Sequence, residues 1–137
     1  MRQGIVKRKL LLAEDDEPCR ILVSEILRGA NVQIFKAWDG ISAKKIYSQH
    51  ANEIELVIID ICLPGLDGFE LLKQIKMINP NVISLALSAL APGLLTEKCE
   101  LAGFNTLISK PFDARLFCQT VVSFLQRSRQ HLAYPWD

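Results

Sequence analysis

Four acids, Glu14, Asp15, Asp16 and Glu17, follow the apolar residues 10–13, and a fifth, Asp60, closes the apolar stretch ELVIID. Crowded carboxylates repel one another unless a cation sits among them. A hard divalent cation suits such a cluster, because Mg²⁺ takes oxygen ligands, keeps several waters and completes its octahedron with phosphate oxygens. A carboxylate beside that ion can attack phosphorus and form an acyl phosphate. Ser88 and Lys110 end two further apolar runs. They offer a hydroxyl and a cation for the charge on a transferring phosphoryl group. A lone acid after a strand is more often a helix cap than a ligand. Polar groups placed after four separate apolar runs are much harder to explain as caps alone.

Positioning those groups requires strands that end together. Residues 9–13, 32–36, 55–60, 82–87 and 105–109 read as strands, most of them nearly continuous in apolar residues, as strands buried on both faces are. Helical patterns lie between them. Ile21, Leu22, Glu25, Ile26 and Leu27 follow helical spacing, and Gly29 falls where a helix C′ residue belongs. Asp39-Gly40 opens a second helix over 41–50. Asp67 with Glu70 caps a third that carries Leu71, Leu72, Ile75 and Met77 and stops at Asn79-Pro80. A fourth spans 94–102 before Gly103, and Asp113 caps a fifth over 114–128. The alternation predicts an α/β fold, (βα)5, with a doubly wound five-stranded parallel sheet and helices on both faces. In such sheets ligands bind beyond the carboxyl ends of the strands. If the first and third strands are neighbours, Asp15 and Asp60 converge there, with Glu14 alongside.

The chain has 137 residues, half of them hydrophobic, and a net charge of +1. That suits one globular domain over residues 8–129, flanked by tails at 1–7 and 130–137. Near-neutral charge gives no argument for nucleic acid or a membrane surface as partner. No apolar run reaches membrane-spanning length. Cys19, Cys62, Cys99 and Cys118 lack C-x-x-C spacing and read as small core hydrophobes in a reducing compartment, so a cytoplasmic location is expected. His50 and His131 have no metal-ligand partner at useful spacing, and Trp38 reads as a packing residue near the rim of the site.

Four segments, EDDEP, IIDICLPGLDGFELL, LALSAL and SKPF, resemble in order and spacing the receiver domain of two-component response regulators. The resemblance covers about residues 8–127 and implies a flavodoxin-like fold. It implies that Asp60 is the phosphoacceptor, that Asp15, Asp60 and the Cys62 backbone carbonyl ligate Mg²⁺, and that Glu14 acts through water. Asp16 would cap the first helix. Ser88 becomes the switch hydroxyl, Lys110 the phosphoryl partner, and the Lys110-Pro111 bond cis. The implied partners are a histidine kinase or histidine phosphotransfer domain and a downstream output protein or domain. The implied output face is the fourth helix, fifth strand and fifth helix, which would also serve a homodimer. The only chemistry is self-phosphorylation and self-dephosphorylation, so turnover as an enzyme is not expected.

The sequence departs from that family at three places. Leu107 occupies the position of the usual switch aromatic, and Phe104 is out of register to replace it. Cys62 and Leu90 stand where polar side chains often orient the hydrolytic water, so slow dephosphorylation is expected. The apolar ALAPGLL loop, with Pro92 and Gly93 as hinges, offers a hydrophobic output face; Phe117 and Val121 either join it or, the favoured reading, are core. Two other functions compete: a degenerate receiver that only binds partners, and an aspartyl-nucleophile phosphohydrolase. The latter usually carries a second Asp two residues after the nucleophile, where this chain has Cys62.

Overall fold

The computed structural model describes residues 7–90 and 93–133, without the side chains of residues 94 and 129–133. Strands β1 (Arg8–Ala13), β2 (Val32–Ala37), β3 (Ile54–Asp60), β4 (Ile83–Ser88) and β5 (Thr106–Ser109) form one parallel sheet in the order β2-β1-β3-β4-β5. The three inner strands carry the continuous apolar runs, and Leu10, Leu11, Leu12, Val57, Ile58, Leu85 and Leu87 are fully buried. Edge strands β2 and β5 are more exposed.

Helices α1 (Glu17–Ile26), α2 (Gly40–His50), α3 (Gly68–Ile78), α4 (Gly93–Ala102) and α5 (Ala114–Ala133) link and follow the strands. Alternate strand residues point to opposite faces. Leu10, Leu12, Ile58 and Leu87 therefore meet Val23 of α1 and Phe117, Val121 and Leu125 of α5. Leu11, Val57 and Ile59 meet Tyr47 of α2, Leu72 and Ile75 of α3, and Cys99 of α4. Asp16, Asp39, Asp67 and Asp113 each accept a backbone N–H three residues on, which starts α1, α2, α3 and α5 at the carboxyl edge of the sheet.

Several local expectations are corrected. Ile21 and Leu22 are exposed, because α1 buries Cys19 and Val23, continued by Leu27 at its C-cap, instead. Gly29 is not a left-handed C′ residue; it lies in a 3-10 turn, Arg28–Ala30, and Asn31 takes the left-handed conformation at φ 57°. Met77 points to solvent at 79% exposure, on the opposite side of α3 from Ile75. Gly103, at φ 98°, does end α4 as expected. Helix α5 runs to Ala133, past residue 128, so the helix enters the segment read as a tail. The expected role of Pro92 as a hinge lies outside the described residues.

Candidate functional site

Strand order reverses between β1 and β3, where a doubly wound sheet opens its binding crevice. β1 and β3 run in register, Ala13 opposite Ile59, so the residues after Ala13 arrive beside Asp60. A carboxylate oxygen from each of Glu14, Asp15 and Asp60 lies within 4.8 Å of the others. The loop after β1 is held by the Glu14 N–H donating to Ala37 O at 2.9 Å and by Arg20 donating to Glu14 O at 2.8 Å. Glu14, Asp60 and Ser88 are buried, whereas Asp15 faces solvent.

Lys110 reaches in from the end of β5. Its Nζ lies 2.8 Å from Asp60 Oδ2 and 2.5 Å from Glu14 Oε1. The Lys110 N–H donates to Ser88 O at 2.7 Å, and the Lys110-Pro111 bond is cis. Asp60 Oδ1 accepts the Cys62 N–H at 2.8 Å. Ser88 Oγ accepts the Leu90 N–H at 2.9 Å just after the end of β4.

Electrostatics separate the two buried acids. Burial pushes the Glu14 carboxyl up, and its proximity to Asp60 pushes it further than Lys110 draws it down. Burial also pushes Asp60 up, but its contact with Glu14 and the hydrogen bonds donated by Lys110 and the Cys62 N–H outweigh it and hold Asp60 below the usual carboxylate range. Burial opposes the Lys110 charge, and its contacts with Asp60 and Glu14 overcome that and raise its pKa. The two acids are thus shifted in opposite directions, Glu14 upward and Asp60 downward. Glu14 Oε1 is buried with the ammonium beside it but without a hydrogen bond of good geometry. A buried acceptor of this kind, among three convergent carboxylates, fits a cation with hard oxygen preferences.

The structure brings Glu14, Asp15, Asp60, Ser88 and Lys110 to one edge and places Cys62 and Leu90 on its rim. Cys62 is exposed and Cys118 half-buried, which corrects their reading as core; Cys19 and Cys99 are buried as expected. Trp38 is also not a packing residue. It is 60% exposed, with the Arg20 guanidinium 5.4 Å from its ring centre. Leu107 is half-buried in the core on the α2–α3–α4 side of the sheet, opposite Ala86. Phe104, Phe117 and Val121 are core. His50 stacks on Phe35 and contacts Glu53 rather than any metal cluster. Sequence reasoning missed the hold of Arg20 on the acidic loop and the tight fit of Gly40 against the loop after Asp60. The Asp39-Gly40 pair was the available signal for the second.

A doubly wound sheet with this acidic, lysine-bearing edge defines the class of phosphorylatable signalling domains. The family model for the response regulator receiver domain matches residues 10–122, and the chain belongs to that family. Receivers are signalling domains that interact with histidine kinases or phosphotransfer proteins and with output domains, and phosphorylation and Mg²⁺ binding are typical of them. Sporulation initiation phosphotransferase F of Bacillus subtilis is 30% identical over 109 residues, covering 80% of this chain and 86% of that protein. Regulatory protein VanRB of Enterococcus faecalis is 32% identical over 88% of this chain, which spans 53% of that longer protein. A chain of the CheX-CheY-BeF3-Mg+2 complex of Borrelia burgdorferi superposes with a TM-score of 0.80 at 29% identity, covering 85% of this chain and 88% of that one. No helix among the described residues is long and apolar enough to cross a membrane.

Proposed function

We propose that Asp60 is the phosphoacceptor of this receiver and that Glu14, Asp15, Asp60 and the Cys62 carbonyl form its Mg²⁺ site, Glu14 through water. The observation that carries this reading is the convergence of three carboxylates and one lysine on the end of β3. An ionised Asp60 oxygen attacks phosphorus of a phosphohistidine as the P–N bond breaks; the leaving imidazole takes a proton, and an acyl phosphate remains on Asp60. Bound Mg²⁺ supplies charge neutralisation for the phosphoryl oxygens. Lys110 is already within reach and exchanges part of its contact with Asp60 for the new phosphoryl charge. Ser88 Oγ donates to a phosphoryl oxygen, and the Leu90 N–H bonded to that hydroxyl moves with it. The change shifts a pre-existing equilibrium on the α4–β5–α5 face, where Leu101 and Leu116 are 82% and 62% exposed. An output domain or a second copy reads that face. A cytoplasmic setting fits this chemistry.

Intact-mass measurement after incubation with Mg²⁺ and acetyl phosphate tests the assignment. One added phosphoryl group, lost in Asp60→Asn and in EDTA, is the expected result. If no adduct forms, binding of beryllofluoride decides. Failure of both sinks the phosphoacceptor reading.

A further inference from the structure

The segment between Asp60 and α3 carries the proposed carbonyl ligand at Cys62, so its position matters to the metal. One end of this loop is fixed by its own chain. The Gly68 N–H donates to Ile61 O at 3.0 Å, and a Cβ at Gly68 would stand 2.6 Å from Asp60 O. The crest, Pro64 to Leu66, is held from outside by the first turn of α2. The Gly40 N–H donates to Pro64 O at 3.3 Å. A Cβ at Gly40 would stand 2.1 Å from Leu66 O and 2.4 Å from Leu66 Cβ. Gly65, at φ 75°, faces Ile41, with 3.7 Å between Ile41 Cδ1 and a Cβ built at Gly65. Asp39 pins that turn of α2 by accepting the Ser42 N–H at 2.7 Å.

Gly40 touches no group of the proposed chemistry, yet nothing larger fits between α2 and the crest. Its nearest obstruction is a backbone carbonyl, which no rotamer change moves aside. We infer that Gly40 is a positioning residue for the metal site: by letting α2 seat directly on the Pro64–Leu66 crest, it sets where the Cys62 carbonyl stands relative to Asp60 and Asp15. A methyl group there displaces the crest by about 1 Å or more if ordinary van der Waals spacing is to be restored. Mg²⁺ tolerates little error around its bond length of about 2.1 Å. Residues that orient metal ligands typically change affinity about 10- to 100-fold when mutated. The inference rests on the Mg²⁺ site proposed above.

Calorimetric titration of the full chain with MgCl₂, in the absence of any phosphodonor, tests it. The wild type, Gly40→Ala and Gly29→Ala are compared; Gly29 has nothing within 4 Å of a built Cβ and serves as the control substitution. Gly40→Ala is expected to weaken Mg²⁺ binding about 10-fold or more, with Gly29→Ala unchanged. With acetyl phosphate, its half-saturating Mg²⁺ concentration should rise by the same factor while the rate at saturating Mg²⁺ stays near that of wild type. Unchanged Mg²⁺ affinity in a destabilised Gly40→Ala protein overturns the inference and leaves Gly40 as a folding residue only. If Gly40→Ala does not fold, Gly65→Ala, strained at its positive φ, shifts the same crest; equal Mg²⁺ affinity there also overturns it. A wild type that binds no Mg²⁺ instead sinks the site assignment itself, so the two failures are distinguishable.

Discussion

Lys110 Nζ, at the end of β5, stands 2.8 Å from Asp60 Oδ2, at the end of β3, although β4 lies between their strands. The lysine spans a whole strand because β4 ends in small Ser88, whose carbonyl also takes the Lys110 N–H. Removing this ammonium leaves Asp60 beside Glu14 without its compensating charge. In Lys110→Ala the Asp60 carboxyl should titrate higher than in wild type. Carbon-detected NMR of the carboxyl carbons reads that shift, and beryllofluoride affinity should fall. An unmoved Asp60 titration would show that Glu14 and the Cys62 N–H hold its charge by themselves.

Mg²⁺ should stabilise the folded chain by mass action. At a concentration about 100 times the dissociation constant, the gain is about 2.7 kcal/mol, which for a domain of this size raises Tm by several degrees. Asp15→Asn should abolish most of the rise, because Asp15 is the solvent-facing acid of the three and is free to ligate. Thermal unfolding with and without MgCl₂ checks both statements.

Hydrolysis of the acyl phosphate needs a positioned water. Cys62 is exposed and Leu90 is 54% exposed, and neither side chain orients water well. The phosphoryl group on Asp60 should therefore be long-lived. Cys62→Asn should shorten its lifetime between about 10- and 100-fold, the scale on which positioning acts. Decay of the phosphorylated mass after donor removal gives the rate, and equal decay in both proteins would refute the idea.

Alkali should unfold the protein through groups buried as neutral acids. Burial pushes the Tyr47 hydroxyl up from 10.0, only partly offset by its hydrogen bond with Asn79, and pushes the Cys99 thiol up from 9.0. A raised folded pKa means the native state keeps its proton longer than the unfolded chain. Their contribution is thus complete below pH 9.0 and is lost as pH rises through the folded values. Tm measured from pH 8 to 11 should fall, and Tyr47→Phe should flatten the upper part of that fall. A Tm curve with the same slope in the variant would exclude Tyr47 as a cause.

Much of the molecule was legible because it is encoded locally. Doubly apolar runs identify strands by themselves, and an Asp before a helix announces its cap, as at Asp16, Asp39, Asp67 and Asp113. The acids after β1 and β3, with Ser88 and Lys110, sit at strand ends, and a parallel sheet sends all such ends to one edge. The residue types and their order thus determined the fold class and which polar residues meet at that edge. Tertiary structure decided what depends on neighbours distant in sequence. Which face of α1 is buried follows from the sheet beneath it, so Ile21 and Leu22 turn outward. The opposite shifts of the two acids, Glu14 upward and Asp60 downward, follow from burial and from contacts between strand ends far apart in sequence. Gly40 differs from an ordinary helix-opening glycine only because a backbone carbonyl from another loop occupies the space of its missing side chain. Local sequence sets backbone preference and polarity; close packing between segments far apart in the chain sets exposure, charge state and permitted volume.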